Sequence, residues 1–329
     1  MNAADNKPEC QFIDRLDPQL RDDFAARPAV FATGQSLEAI QAECFVPASE
    51  SGDSHPNVIC RDLELSTPAG PVTVRVYQPA NRESELALPV ILWIHGGGFF
   101  LGDLNSDNAK CEQWVMGCAC VLVAVDYRLA PQYPFPAGFD DCYAALQWLT
   151  TTGVSELNLN PQQIAIGGAS AGACLAAGVV LRARDNGLSL CYQLLLIPVL
   201  DDRHLTVSSC SVTDPRTWNC DISRQAWEAY LADIEGEVPV YAAPARAENL
   251  ADLPPTFISI AEHDILRDEA LDYAQRLLQA DVSTEVHLYP GTYHGSSGAT
   301  PAARVSLQHQ RDITGAIKSA FIGQKSNKY

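Results

Sequence analysis

Hydrophobic runs alternate with helical patterns along most of the chain. Residues 72–77 alternate between apolar and polar positions, as a half-exposed strand does, whereas residues 90–94 and 121–125 are continuous apolar runs typical of strands covered on both faces. Further short apolar runs predict strands at 164–168, 194–199, 257–260 and 286–289, and helical patterns predict helices at 139–149, 171–182, 268–279 and 302–321. This alternation predicts an α/β fold, with a doubly wound, mostly parallel central sheet and helices on both faces.

Two segments interrupt the alternation. Residues 1–60 are polar, with helical fragments and no clear strand. Residues 201–250 hold four aromatic residues among many charges, namely Trp218, Trp227, Tyr230 and Tyr241. Aromatic residues outside the strand rhythm fit a cap over the carboxyl edge of the sheet. An insertion that makes no contact with substrate is the alternative, and the pattern leaves both open.

The charge balance narrows the classes of partner. Lys and Arg number 22 against 40 Asp and Glu, which gives a formal charge of −18. Such a surface repels phosphate, so we expect neither nucleic acid nor an anionic membrane surface as a partner. Hydrophobic residues make up 47% of the chain, enough for a sizeable core, which excludes a disordered or fibrous chain.

The N-terminal residues and the apolar runs bear on location. Residues 1–14 lack the basic start and apolar core of a signal peptide. The longest apolar runs have the length of strands and fall well below the roughly 18 residues of a membrane span. We therefore expect a cytoplasmic protein.

Eleven cysteines are present, and none forms a Cys-x-x-Cys pair. Cys118 and Cys120 share one face if their segment is a strand, but nearby partners for zinc are lacking, so no metal is predicted. An odd number in a long chain does not indicate a disulfide scaffold. We expect most of these cysteines to be core residues or surface residues without a function, in a reducing compartment that keeps their thiols free.

The strongest chemical signal is the segment Gly168-Ala169-Ser170-Ala171-Gly172, which lies between a predicted strand and an Ala-rich helix. Small neighbours allow the sharp strand-to-helix turn that exposes a nucleophilic serine. The helix that begins there directs free N–H groups and its positive end to the same point. The alternative is a glycine-rich packing turn without catalytic use.

A second signal is the segment from His95 to Gly98, which directly follows the strand predicted at 90–94. Its three glycines leave backbone N–H groups unshielded, as the oxyanion of acyl transfer requires. We assign the oxyanion donors to Gly97 and Gly98, joined by the N–H of Ala171. A phosphate loop is disfavoured, because Lys-Ser or Lys-Thr does not follow and G-x-G-x-x-G is incomplete. His95 is expected to orient the loop.

A serine nucleophile needs a base, and the base needs a carboxylate. His294 lies just past a predicted strand, at the sheet edge where ligands bind in open α/β folds, whereas His287 lies within that strand. Asp264 follows the preceding strand, and Asp268 resembles a first-turn helix residue, so Asp264 is preferred as the acid. The chain order Ser170, Asp264, His294 is that of the α/β-hydrolase triad.

Five segments together resemble the hormone-sensitive-lipase-like family of α/β-hydrolase esterases: His95-Gly-Gly-Gly98, Asp126-Tyr-Arg-Leu-Ala-Pro131, Phe135-Pro-Ala137, Gly168-x-Ser-x-Gly172 and Asp264-x-Leu-Arg-Asp-Glu269. The match covers about residues 72–294. Within the family, residues 288–292 and the following His294 look most like bacterial acetyl esterases. The sequence departs from the family pattern at positions around the site, namely Gln132, Ala169, Ala173, Cys174, Ile265 and Ser296.

The resemblance implies hydrolysis of carboxylic esters without a cofactor, with Ser170 as nucleophile, Asp264 and His294 as its partners, and the three N–H donors named above. It also implies a division of one structural unit. Residues 1–60 form an N-terminal cap segment, 61–200 and 251–329 the catalytic domain, and 201–250 a cap insertion. A homodimer through the last strand and helix is an option that rests on the resemblance alone.

The expected substrate is a small, uncharged ester with a short acyl chain. Phe99 and Phe100 either line the acyl pocket or pack beneath the oxyanion loop, and both options stay open for each. An amidase or lactonase would use the same residues. A non-catalytic binding module and a thiol enzyme that uses Cys174 are disfavoured, because His294 is present and no histidine pairs with Cys174 by motif.

Overall fold

The computed structural model describes residues 11–44, 55–82 and 86–322. Its centre is an eight-stranded sheet with the spatial order β1-β2-β4-β3-β5-β6-β7-β8. The strands are β1 (Val58–Thr67), β2 (Gly70–Pro79), β3 (Leu88–Ile94), β4 (Val121–Asp126), β5 (Leu159–Ala169), β6 (Tyr192–Leu196), β7 (Thr256–His263) and β8 (Thr284–Tyr293). β1 pairs antiparallel with β2, and β2 with β4, whereas all the other pairs are parallel. The predicted mostly parallel α/β fold is confirmed.

Within the described ranges, ten α-helices connect and flank these strands: α1 (Pro18–Ala26), α2 (Leu37–Cys44), α3 (Asn108–Cys118), α4 (Ala137–Leu149), α5 (Thr152–Glu156), α6 (Ala171–Asp185), α7 (Cys220–Tyr230), α8 (Arg267–Gln279), α9 (Ser296–Ala299) and α10 (Arg304–Ile322). The helices α4, α6 and α8 cover one face of the sheet, and α3 and α10 cover the other. The central strands β3 and β4 are therefore buried on both faces, which explains their continuous apolar runs.

Several elements differ from the sequence expectation, and for three of them the structure gives the reason. The edge strand β1 was missed because only Val58 and Leu65 are buried in it, so its alternation is hidden among exposed polar residues. The helix α3 was missed because it carries few apolar residues, with Cys111, Trp114 and Val115 buried. The strand predicted at 194–199 ends earlier, at Leu196, because the next residue turns into a positive-φ conformation.

The two irregular segments lie against each other at the carboxyl edge of the sheet. The backbone N–H of Phe31 donates to the carbonyl of Pro215 at 3.0 Å, and the Arg27 side chain donates to the Arg216 carbonyl at 3.0 Å. On α1, Phe24 packs edge-on against Tyr293 at a centroid distance of 4.8 Å. The division of the chain at residues 60, 200 and 250 stays a prediction, and 1–10, 45–54, 83–85 and 323–329 lie outside the described residues.

The helices of the described residues are too short or too polar for a membrane crossing.

Candidate active site

Ser170 stands between β5 and α6 in a strained backbone conformation. Its φ of 56° and ψ of −120° lie in a region that side chains rarely adopt, and such strain is concentrated at functional sites. Its N–H donates to the Leu196 carbonyl at 2.8 Å, which ties the turn to β6. Gly172 lets the turn form, because a Cβ there would lie 2.7 Å from the carbonyl carbon of His95. The turn therefore projects the serine at the carboxyl edge of the sheet.

The structure brings Ser170, His294 and Asp264 into one hydrogen-bonded chain. Ser170 Oγ lies 2.9 Å from His294 Nε2, and His294 Nδ1 lies 2.6 Å from Asp264 Oδ2. The other carboxylate oxygen of Asp264 accepts the N–H of Leu266 at 3.1 Å, which fixes the carboxylate plane. A carboxylate only accepts, so Nδ1 carries the proton and Nε2 is left to accept the serine hydroxyl proton. The arrangement has the geometry of an activated nucleophile.

Asp268 does not reach the histidine. Its carboxylate accepts hydrogen bonds from Arg267 Nε at 2.7 Å and from the Ser208 N–H at 2.8 Å. Although partial burial raises the pKa of Asp268, these two hydrogen bonds outweigh it and hold the pKa below its usual value. Of the two candidate acids, the geometry therefore joins Asp264 to His294.

The glycine loop after β3 runs directly against the nucleophile. A Cβ at Gly96 would lie 2.8 Å from the Ala169 carbonyl oxygen and 3.3 Å from Ser170 Cβ. Gly97 and Gly98 have φ values of 126° and 61°. The first N–H groups of a helix have no partner within it, and Ala171 is the first residue of α6. The predicted oxyanion donors thus belong to two backbone segments that meet at Ser170.

Side chains from neighbouring elements hold this glycine loop in place. The Tyr127 hydroxyl donates to the His95 carbonyl at 2.9 Å, and the two rings stack at 4.4 Å. His95 Nδ1 lies 2.7 Å from the Gly96 carbonyl oxygen. Burial lowers the pKa of His95, so its ring is neutral and suited to a structural hydrogen bond. On α2, Gln41 donates to the Phe100 carbonyl at 2.7 Å, which links the N-terminal helices to this loop.

The two phenylalanines after the glycines are both buried, at 2% and 1% exposure. The Phe99 ring stacks on Tyr230 of α7 at 4.0 Å and lies 5.1 Å from Trp227. Phe100 lies 6.5 Å from Trp218. These contacts favour the packing role for Phe99, because its face is covered by the insertion.

Trp218 is a residue at the site that the sequence reasoning did not assign. Its ring lies 6.1 Å from the His294 ring. The aromatic content of residues 201–250 was the available signal, but it did not indicate which ring reaches the histidine.

Cys174 lies one turn beyond Ser170 and is fully buried. Its Sγ lies 3.3 Å from the carbonyl oxygen of Ala242. Burial raises the pKa of this thiol well above its usual value, so it stays protonated and unreactive. The ten cysteines within the described ranges are all free. Those ranges also contain no group of three or more His, Cys, Asp or Glu side chains that could hold a metal ion.

Several proteins to which this chain is similar are esterases. A family model described as the alpha/beta hydrolase fold matches residues 91–297. Esterase LipI of Mycobacterium tuberculosis is 36% identical over 312 residues, which are 92% of this chain and 93% of the relative. An ethyl acetate hydrolase of Pseudomonas putida is 29% identical over 242 residues, 71% of this chain and 74% of that protein.

A bacterial heroin esterase of known structure is 38% identical, with a TM-score of 0.86 over 94% of this chain and 99% of that one. These matches confirm the resemblance to the hormone-sensitive-lipase-like esterases that the five motifs indicated. The chain belongs to the α/β-hydrolase fold family.

Proposed function

We propose that this carboxylic ester hydrolase cleaves small esters of short-chain acids through an acyl-enzyme on Ser170. The observation that supports the proposal is the hydrogen-bonded chain from Ser170 Oγ through His294 to Asp264, with distances of 2.9 and 2.6 Å. A free serine hydroxyl is a poor nucleophile at neutral pH, and an adjacent, oriented histidine base of this kind activates it.

In the first half of the reaction, Ser170 Oγ attacks the ester carbonyl carbon while His294 Nε2 takes the hydroxyl proton. Asp264 holds the histidine in the required tautomer and stabilises the imidazolium that forms. The carbonyl oxygen becomes an anion, which the N–H groups of Gly97, Gly98 and Ala171 stabilise. His294 then gives its proton to the leaving alcohol oxygen, and the acyl-enzyme remains.

Water repeats the sequence in the second half. His294 takes a proton from the water, the hydroxide attacks the acyl carbon, and the tetrahedral intermediate collapses to the free acid. The proton returns through His294 to Ser170 Oγ, so the enzyme is restored without a cofactor.

The short-chain preference is supported by the tight cover over the site. Ser170 is 6% exposed and Asp264 is 2% exposed. Trp218 of the insertion lies 6.1 Å from the His294 ring, and Phe24 of α1 packs on the neighbouring Tyr293, so both segments cap this end of the sheet. The similarity to an ethyl acetate hydrolase supports the same preference.

The test is hydrolysis of p-nitrophenyl esters from acetate to palmitate, with Ser170→Ala measured beside the wild type. We expect fast turnover of acetate and butyrate, little of palmitate, and a loss of about 10⁶-fold in kcat in the variant, by analogy with other serine hydrolases. A maximum at long chains would refute the short-chain preference. Turnover of esters by Ser170→Ala at the wild-type rate would refute the mechanism.

A further inference from the structure

Trp218 lies where the insertion meets the reacting groups. A Cβ at Gly98 would lie 2.8 Å from Cζ3 of the indole, so the six-membered ring rests on the oxyanion loop. The same side chain lies 6.1 Å from the His294 ring, at an interplanar angle of 37°. One side chain therefore borders both the oxyanion donors and the base.

The ring is held by packing alone. Phe31, from the N-terminal segment, meets it edge-on at 5.7 Å. The buried Asn219 beside it donates to the Phe31 carbonyl at 3.1 Å, which ties the two segments together. Among the described residues, Trp218 Nε1 has no hydrogen-bond partner, although it is buried. Replacement of the indole therefore breaks no hydrogen bond, and its effect reports the volume of the ring.

The position of Trp218 beside His294 indicates which part of the ester it contacts. His294 Nε2 must reach the leaving oxygen to protonate it, so the group attached to that oxygen passes the histidine ring. The carbonyl oxygen lies at the same time against Gly98. We propose that Trp218 is the specificity-determining residue for the alcohol portion of the ester, from which it excludes branched and bicyclic groups. This inference rests on the proposed function.

The restriction is steric. Trp218 is 6% exposed and packed between Phe31 and the oxyanion loop, so the indole cannot be displaced without disturbing these contacts. A branched or bicyclic alcohol group beside His294 would have to displace the indole and disturb its packing. A methyl or ethyl group would not. Close-packed interiors resist added volume in this way.

The experiment varies the alcohol at a constant acetyl group. The substrates are methyl, ethyl, tert-butyl and 1-naphthyl acetate, and hydrolysis is followed by titration of the acetic acid that is released. The value of kcat/KM is measured for the wild type and for the variants Trp218→Ala, Trp218→Phe and Trp227→Ala. Trp227 is the matched control, because it belongs to the same insertion and packs on Phe99 at 5.1 Å. A parallel series of p-nitrophenyl esters varies the acyl chain alone.

We expect the ratio of bulky to methyl acetate hydrolysis to rise about tenfold or more in Trp218→Ala, the scale at which a pocket separates groups of different size. Trp218→Phe should give a smaller rise, and it serves if Trp218→Ala does not fold. The control should keep the wild-type ratio. An unchanged ratio, an equal rise in Trp227→Ala, or a change in acyl preference alone would overturn the inference.

The two proposals fail differently. If wild type hydrolyses the acetates but the Trp218 variants keep its ratio, the inference fails and the esterase proposal stands. If wild type hydrolyses none of the esters in either series, both fail.

Discussion

The replacement Asp264→Asn isolates the role of the buried carboxylate, because asparagine has nearly the same shape. In the structure, one carboxylate oxygen accepts from His294 Nδ1 at 2.6 Å and the other accepts the Leu266 N–H at 3.1 Å. An asparagine amide has one oxygen and one NH₂ group. It can satisfy only one of these two donors with its oxygen.

The fall in kcat depends on which of the two N–H groups the asparagine oxygen accepts. A buried N–H without a partner costs about 1–3 kcal/mol, so the amide oxygen should turn to Leu266. The NH₂ group then faces His294 Nδ1 and converts it into an acceptor, which moves the ring proton to Nε2. In that tautomer the histidine cannot take the proton of Ser170. We therefore expect kcat to fall about 10⁴-fold, as for the corresponding change in the serine-protease triad.

The assay is hydrolysis of p-nitrophenyl acetate at neutral pH by wild type, Asp264→Asn and the control Asp268→Asn. The control removes a charge of the same kind from a residue that contacts Arg267 and Ser208. We expect it to keep kcat within about threefold, since a substitution away from the reacting groups acts mainly on stability. Activity of Asp264→Asn within tenfold of wild type would refute the reasoning, and so would an equal loss in the control.

Three further substitutions test packing and protonation. Gly172→Ala sets a Cβ 2.7 Å from the His95 carbonyl carbon, so overpacking should lower the free energy of unfolding in urea by about 1–3 kcal/mol. Glu269 is buried and accepts the Leu200 N–H at 2.7 Å; Glu269→Ala leaves that N–H unpaired and should cost about 1–3 kcal/mol in the same assay, and Glu269→Gln should cost less. Burial lowers the pKa of His309 from 6.5 to about 4, so the unfolded chain takes up a proton there first as the pH falls. As the pH falls from 6.5 to about 4, this group should lower the free energy of unfolding by about 1.4 kcal/mol per pH unit. His309→Gln should remove this contribution to the pH dependence.

Each of these expectations has a contrary result. An unchanged urea midpoint in Gly172→Ala would mean that the turn has room to relax. Equal losses in the two Glu269 variants would mean that the hydrogen bond to Leu200 contributes nothing. A parallel pH dependence in wild type and His309→Gln, compared between pH 6.5 and 4, would contradict the low pKa of the buried ring.

The sequence predicts best where a residue's environment is set by its neighbours in the chain. The central strands β3 and β4 are covered on both faces, so nearly all their residues are apolar and the sequence identifies them as strands. The loops that follow β5, β7 and β8 lie at one edge because these strands are parallel and close together in the sheet, with only β6 between β5 and β7. For that reason three polar residues far apart in the chain could be assigned to one place, and the structure brings Ser170, Asp264 and His294 within hydrogen-bond distance.

The rest depends on contacts that local patterns do not carry. Trp218 reaches His294 only because Phe31 and Asn219 hold the insertion against the N-terminal segment, and no periodicity reports such a contact. A buried phenylalanine after the glycines looks the same in the sequence whether it lines a pocket or, as Phe99 does, packs on Tyr230. The edge strand β1 is solvated along most of its length, so its hydrophobic signal is weak.

The packing of residues 12–26 has a consequence for how the protein is made on the ribosome. Leu16, Leu20 and Phe24 pack against Tyr289 and Tyr293, which are synthesised more than 260 residues later. Gln19 accepts the N–H of Arg304 over a separation of 285 residues. During translation this early segment must wait, without its partners, until nearly all of the sheet has emerged, because such distant contacts close late. The segment that is made first is thus among the last to reach its native position.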